Sequence, residues 1–357
     1  MRMRTTHHPS NRSRFLMAVT VVTENIAAQL DLLVDLRRSF RYAAIDTEFP
    51  GFIRLTPPNA SEEDRYADVK YNVDNMKLIQ LGITLFDENG STPWQGCCWQ
   101  FNFSDFDPLV HPSSPKSLEL LRRSGHDLEG NRRNGINGDK WSNVLRNKLF
   151  DRRYGSVYVT FHGLYDVAYV IKLITGGAPL PPTLREFITA ARRVFGALYD
   201  IKYIAKNCDG LSGREFGLTR LAQELVVEQD GNPHQAAYDS LSISRVFNEM
   251  NRRYNIGGNE RFDSVLYGLE NSCTESKKRY QRGAMAYHPN YVGQYGFQAH
   301  SGIPPLPPTP MFVFLPQVGP PLHQAHGVPS SPESRQQQNT LSCHGYVSGM
   351  GNVKVRR

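Results

Sequence analysis

The apolar run Tyr42-Ala43-Ala44-Ile45 leads directly into Asp46-Thr47-Glu48. Such a run reads as a buried strand, and the alternation of strand side chains puts residues 46 and 48 on one face. Two uncompensated carboxylates on that face repel each other and raise a pKa, a cost that a shared cation removes. The pair alone is weakly specific, because exposed strands carry Asp-x-Glu by chance. Two later segments raise the demand: Phe161-His162-Gly163-Leu164-Tyr165-Asp166 and His234-Gln235-Ala236-Ala237-Tyr238-Asp239. For their acids to work with the first pair, the fold must carry three distant stretches of chain to one place.

Taken together, Asp46, Glu48, Asp166 and Asp239 supply four carboxylates. Magnesium and manganese prefer hard oxygen ligands, and two such ions can clamp both sides of an in-line phosphoryl displacement. The set is spaced as a two-metal 3′→5′ exonuclease requires. His234 adds a neutral imidazole beside the Gly231-Asn232-Pro233 turn, suited to take a proton from water. Each residue also has a plainer reading. Asp166 suits a helix N-terminus, Asp239-Ser240 suits a helix cap, and His162 reads either as an ordinary buried histidine or as a group orienting a phosphate. A cap does not explain the histidine next to the turn, and the three segments together favour the nuclease reading. The expected catalytic set is Asp46, Glu48, Asp166, His234 and Asp239.

The net charge of +7 over 357 residues invites a nucleic-acid reading, but its placement weakens that use. Residues 1–23 hold four arginines and no acid, and residues 271–357 hold eight Lys/Arg against Glu275 and Glu333. That leaves 24–270 with a net charge of −3. Two divalent cations would add about four positive charges to this acidic core. The five cysteines, Cys97, Cys98, Cys208, Cys273 and Cys343, form no CxxC pair, which fits a reducing compartment. No apolar run is long enough to span a bilayer, so no membrane association is expected. Residues 1–19 read as a disordered basic extension, with an organellar transit peptide as the alternative reading of the arginines.

Helical spacing of Ile26, Leu30, Leu33 and Leu36 predicts an amphipathic helix within 23–41. Strands are expected over 41–46, 76–86 and 96–103, the last two joined by Asp87-Glu88-Asn89-Gly90, as a meander opening an α/β domain. Residues 117–123 read as a short helix and 125–138 as a polar surface loop. A fourth strand is expected over 157–161 with a helix over 165–175. A short strand or turn follows at 198–204, then helices over 218–225 and 237–250. Eleven of the 23 prolines lie in 271–357, a segment too poor in apolar surface to offset its ordering entropy, so it is expected to be disordered. Within it, Pro304-Pro305-Leu306-Pro307-Pro308 is a polyproline-II candidate for a partner domain that binds proline motifs.

Several words in the chain resemble the Caf/Pop deadenylase family, the DEDD-type catalytic subunit of the Ccr–Not complex. They are Ala44-Ile45-Asp46-Thr47-Glu48-Phe49-Pro50-Gly51, Lys77-Leu78-Ile79-Gln80-Leu81-Gly82, Trp99-Gln100-Phe101-Asn102-Phe103, Tyr199-Asp200-Ile201-Lys202-Tyr203, His234-Gln235-Ala236 with Asp239-Ser240, and Leu266-Tyr267-Gly268-Leu269. The resemblance covers roughly residues 20–270. It implies an RNase H-like α/β fold, with a mixed central sheet flanked by helices and a disordered C-terminal tail. It also implies 3′→5′ removal of poly(A) from messenger RNA with release of AMP. Carried over, Asp46, Glu48, Asp166 and Asp239 would hold two Mg²⁺ or Mn²⁺ ions, and His234 would deprotonate the attacking water. Phe49 and His162 are candidates for substrate contact.

The implied partners are poly(A) RNA, the Not scaffold and the leucine-rich-repeat deadenylase. The implied location is the cytoplasm, including processing bodies, and the nucleus. The chain departs from the family words at Gly163, Leu164 and Tyr238, where a serine hydroxyl is lost and Leu164 and Tyr238 are expected to add bulk near the site. A scaffold with little chemistry, or a DEDD nuclease acting on other RNA or DNA ends, are the alternative readings.

Overall fold

The computed structural model describes residues 17–94 and 97–286. The chain begins β1 (Met17–Val21), α1 (Ile26–Leu36), β2 (Tyr42–Glu48), α2 (Glu62–Asn75), β3 (Gln80–Phe86), β4 (Cys97–Asn102). It continues α3 (Pro115–Arg123), α4 (Leu128–Asn134), α5 (Gly138–Leu149), β5 (Val157–Thr160), α6 (Leu164–Ile174), α7 (Leu184–Phe195). The last elements are β6 (Ala197–Asp200), α8 (Ile201–Lys206), α9 (Leu218–Glu224), α10 (Ala236–Tyr254) and α11 (Glu270–Ala286).

The strands form one mixed sheet in the order β1-β4-β3-β2-β5-β6. β2, β3 and β4 make the expected antiparallel meander, and β5 joins β2 in parallel with β6 outside it. Helices cover both faces, which is why every residue of β3 is buried. On one face, Ala43 and Ile45 pack with α1, α2, α5, α6 and α7. On the other, Ala44 and Phe86 pack with α8, α9 and α10. A third cluster of Ile79, Phe106, Leu118, Leu121 and Leu128 seats α3 and α4 together.

This alternation positions the candidate acids. Residues 44, 46 and 48 share the face that receives α10, while 43, 45 and 47 face α6. α10 comes close because Gly82, opposite Asp46 in the ladder, has no side chain. A Cβ at residue 82 would lie 1.8 Å from the Ala236 carbonyl oxygen.

Four expectations are corrected. Residues 125–138 are not simply loop: Asp127 caps α4, and Leu128 and Asn131 are buried under it. The N-terminal boundary at residue 20 is too late, since β1 starts at Met17 and pairs in parallel with β4. The C-terminal boundary at 270 is too early. α11 continues to Ala286, Cys273 is buried in the main core, and the Glu62 carboxylate accepts the Asn271 and Ser272 N–H groups at 2.9 and 2.8 Å. A carboxylate on the free N–H groups of a helix start stabilises it electrostatically. Finally, α2 and α7, where the apolar spacing predicts no helix, complete with α5 the layer against α6. The proline motif at 304–308 and the basic segment 1–16 lie outside the described residues.

Candidate active site

Asp46 and Glu48 emerge, partly exposed, at the end of β2. Thr47 points to the opposite face, and its hydroxyl donates to Asp166 Oδ1 at 2.5 Å. Thr160, the last residue of β5, donates to the other oxygen at 3.0 Å. Asp166 is thus a buried carboxylate in the first turn of α6 with a hydroxyl on each oxygen. Asp239 lies in the first turn of α10, where its Oδ2 accepts the His234 backbone N–H at 2.9 Å. One side-chain ligand atom each from Glu48, His234 and Asp239 lie within 4.8 Å of one another. His234 has a left-handed backbone (φ 63°) and an exposed side chain. Asp46 in turn feels the charges of Asp166, Asp239 and Glu48, so residues separated in sequence are gathered at one site.

The acids disturb one another as the alternation implies. Burial, then the charges of Asp166, Asp239 and Glu48, hold the Asp46 carboxyl well above the usual carboxylate range. Burial and the charges of Asp239 and Asp166 push Glu48 up to about 8. Burial lifts Asp166 to about 7 against the pull of the Thr47 and Thr160 hydroxyls. It lifts Asp239 to about 6 against the His234 N–H bond. Among the described residues no lysine or arginine forms an ion pair with any of the four. Oxygen donors this close, unpaired and short of positive charge fit divalent cations, whose charge would return the acids to their ionised form.

The two candidates for substrate contact lie at the margins. Phe49 stacks on Tyr165 and Tyr169 at ring-centroid distances of 5.3 and 4.8 Å, with Phe52 edge-on at 5.5 Å. His162, also left-handed (φ 59°), is exposed after β5 with its ring edge-on to Tyr267 at 5.0 Å.

The three departures are taken up in local packing. Leu164 is buried in the main core. Tyr238 lies half-buried beneath the preceding turn, so close that a Cβ at Gly231 (φ 77°) would lie 2.3 Å from its ring. At Gly163 the space for a side chain is filled by Thr160, whose methyl would lie 2.1 Å from a Cβ. The expected bulk near the site is corrected for Leu164, which lies in the core, while Tyr238 packs under the turn that leads to His234.

Supporting residues escaped the sequence reading. Asp200, fully buried, accepts the backbone N–H groups of His162, Gly163, Lys202 and Tyr267 at 2.9, 3.1, 3.0 and 3.0 Å. It ties the end of β5 to α8 and to the 267 loop. Asn72 accepts the Ile53 and Arg54 N–H groups and donates to the Tyr165 hydroxyl, holding the chain just after Phe49. Asp200 sat within a word that signalled the family, but nothing in that word showed four backbone partners.

A family description, that of the CAF1 family ribonuclease, matches residues 21–152 and 141–247 of this chain. The chain belongs to the CAF1 ribonuclease family. It is 43% identical over 218 residues to a putative CCR4-associated factor 1 homolog 8 of Arabidopsis thaliana, an alignment spanning 61% of this chain and 89% of that protein. It is 34% identical over 252 residues to the poly(A) ribonuclease pop2 of Schizosaccharomyces pombe, spanning 70% and 74% of the two. Its fold matches the S. pombe Pop2p structure in its Mg²⁺- and Mn²⁺-bound form with a TM-score of 0.65 and 34% identity, covering 71% of this chain and 99% of that one. The mixed sheet flanked by helices is thus the fold of that Pop2 ribonuclease structure.

Proposed function

We propose that this chain is a metal-dependent 3′→5′ exoribonuclease that shortens poly(A) tails of messenger RNA, releasing 5′-AMP, as a subunit of the Ccr–Not complex. The observation that carries the reading is the convergence of Asp46, Glu48, Asp166 and Asp239 with His234 in one cation-poor site. Family membership and the fold shared with a Mg²⁺- and Mn²⁺-bound relative support it. Two divalent cations held by the four carboxylates would supply a nucleophile at neutral pH and charge stabilisation at the scissile phosphate.

The residues have separate tasks in this account. Thr47 and Thr160 hold Asp166 in place through its two oxygens, so the carboxylate keeps one orientation as substrate binds. Asp239 fixes the His234 backbone and shares the ligand cluster with Glu48. The exposed His234 imidazole takes the proton of the attacking water. Phe49 and His162, flanking the acids, orient the terminal nucleotide. Partners under this reading are poly(A) RNA, the Not scaffold and the leucine-rich-repeat deadenylase, and the location is the cytoplasm and nucleus.

The test is incubation of the purified chain in Mg²⁺ with 5′-labelled RNA ending in a poly(A) tract, beside a non-adenylated RNA and a single-stranded DNA. A ladder that stops at the tract boundary is expected. Unbiased trimming of all three would show a nuclease of other specificity, and no shortening with either Mg²⁺ or Mn²⁺ would show a scaffold.

A further inference from the structure

His126 lies in the short loop between α3 and α4, inside the polar stretch 125–138. Its ring is buried (6% exposed), and its Nε2 lies 2.6 Å from the backbone carbonyl oxygen of His234. A carbonyl only accepts, so Nε2 carries the proton and the ring is held as one tautomer. The other nitrogen, Nδ1, is buried with no hydrogen-bond partner among the described residues. An orphaned buried nitrogen is unfavourable, which makes a purely packing role for this side chain a poor account of it.

The contact falls where it has most effect. His234 holds a left-handed backbone that a non-glycine residue adopts only when its surroundings impose it. The groups that impose it can be traced. Its own N–H is taken by Asp239, and its carbonyl by His126. The next residue, Gln235, donates from Nε2 to the Ser124 carbonyl at 2.8 Å, in the same loop as His126. That loop is itself anchored: the N–H groups of Gly125 and His126 donate to the carbonyls of Arg122 and Leu121 at the end of α3. Two consecutive residues at the entry to α10 are therefore gripped from one side by residues 124 and 126. On the other side Tyr238 fills the space under Gly231.

We infer that His126 is a positioning residue for His234, holding the carbonyl of the left-handed residue so that its imidazole is presented beside Glu48 and Asp239. It acts through the His234 backbone. The inference rests on the proposed role of His234 in the exonuclease reaction. Displacement of a reacting group by about 1 Å costs roughly 10²-fold in rate, so a modest release of this turn is visible in turnover.

The test uses the full chain in Mg²⁺ with the A-tailed RNA. His126→Phe fills the same space without the donor, and should lower kcat by about 10- to 100-fold while KM for RNA stays unchanged. His126→Gln, which can still donate to the carbonyl, should recover most of that loss. If His126→Phe does not fold, His126→Leu carries the same comparison. An unchanged kcat, a loss confined to KM, or a Gln variant no better than the apolar one would overturn the inference. A second readout needs no activity: amide hydrogen exchange over residues 234–239, without metal or RNA, should quicken in the apolar variant and not in His126→Gln. If the wild type shortens no RNA, the exonuclease reading has failed. The positioning contact is then judged on exchange alone, and equal exchange in wild type and variants overturns it.

Discussion

Thr47 sits between two acids and faces away from both. That single alternation sends Asp46 and Glu48 toward α10 and places a hydroxyl on Asp166, which rides on α6. The carboxylates come from both sides of the sheet and meet where β2 ends. That these acids belong together was legible in the sequence only from the three segments jointly, since each acid alone has a plainer reading as an exposed strand pair, a helix N-terminus or a cap. The supports were not legible, because Asp200, Asn72 and His126 act through backbone groups whose partners lie far along the chain. Nor could the effect of Leu164 and Tyr238 be read from their size, since direction of the side chain decides it. At this scale His234→Ala is expected to slow single-turnover cleavage by about 10²–10⁴-fold, the usual loss for a general base. RNA affinity measured by fluorescence polarisation should change little, and a wild-type rate would remove His234 from proton transfer.

Among the elements, α10 matters most to the site, since it carries Asp239 and its entry turn carries His234. Its approach depends on Gly82, where even a methyl group would meet backbone and not a side chain that could swing aside. Gly82→Ala should therefore cost about 1–3 kcal/mol of stability, as overpacking does. It should also lower activity by moving Asp239 away from Asp46. Thermal unfolding and the RNA assay check both, and unaltered stability would contradict the close approach.

Helices were readable where apolar spacing was clean, as in α1 and α10. α7 was missed although Thr183 and Glu186 form a reciprocal cap and Leu184, Phe187, Ile188, Ala191 and Phe195 share its buried face. α2 hid behind polar composition: its only buried side chains are Tyr66, Val69, Asn72 and Val73. α11 hid behind a composition shift that begins before the packing ends. Ending the chain after Leu269 removes the burial of Cys273 and the Glu62 contacts. A loss of about 2 kcal/mol there corresponds to a fall of roughly 4–8 °C in Tm, whereas ending it after Ala286 should leave Tm and intrinsic activity unchanged. Equal Tm for the two truncations would show that α11 contributes nothing to the domain.

In the molecule as a whole, net positive charge lies at the two ends of the sequence and residues 24–270 carry a net charge of −3. The core gathers carboxylates whose folded-state pKa values stand above their ordinary ones, at about 8 for Glu48, about 7 for Asp166 and about 6 for Asp239. A raised acid stabilises the fold fully below its unfolded pKa, and that contribution is lost as pH rises through the folded value. Metal-free protein in EDTA should therefore lose Tm from about pH 4, where the unfolded acids ionise, to about pH 8, where Glu48 has ionised in the fold. Mg²⁺ should remove most of that slope, so its stabilising effect is larger at the alkaline end. A Tm in EDTA that climbs over this range, or a Mg²⁺ effect independent of pH, would show that the acids do not form one electrostatic cluster. Four free thiols among the described residues are all buried, so oxidation should not enter this comparison.

The most direct measurement sets wild type beside Asp46→Ala on 5′-labelled RNA with a poly(A) tail in Mg²⁺, with circular dichroism to compare their folds. Wild type is predicted to shorten the tail nucleotide by nucleotide to the tract boundary, and Asp46→Ala, equally folded, to leave it at full length. Shortening by the variant at a rate close to wild type would contradict the account.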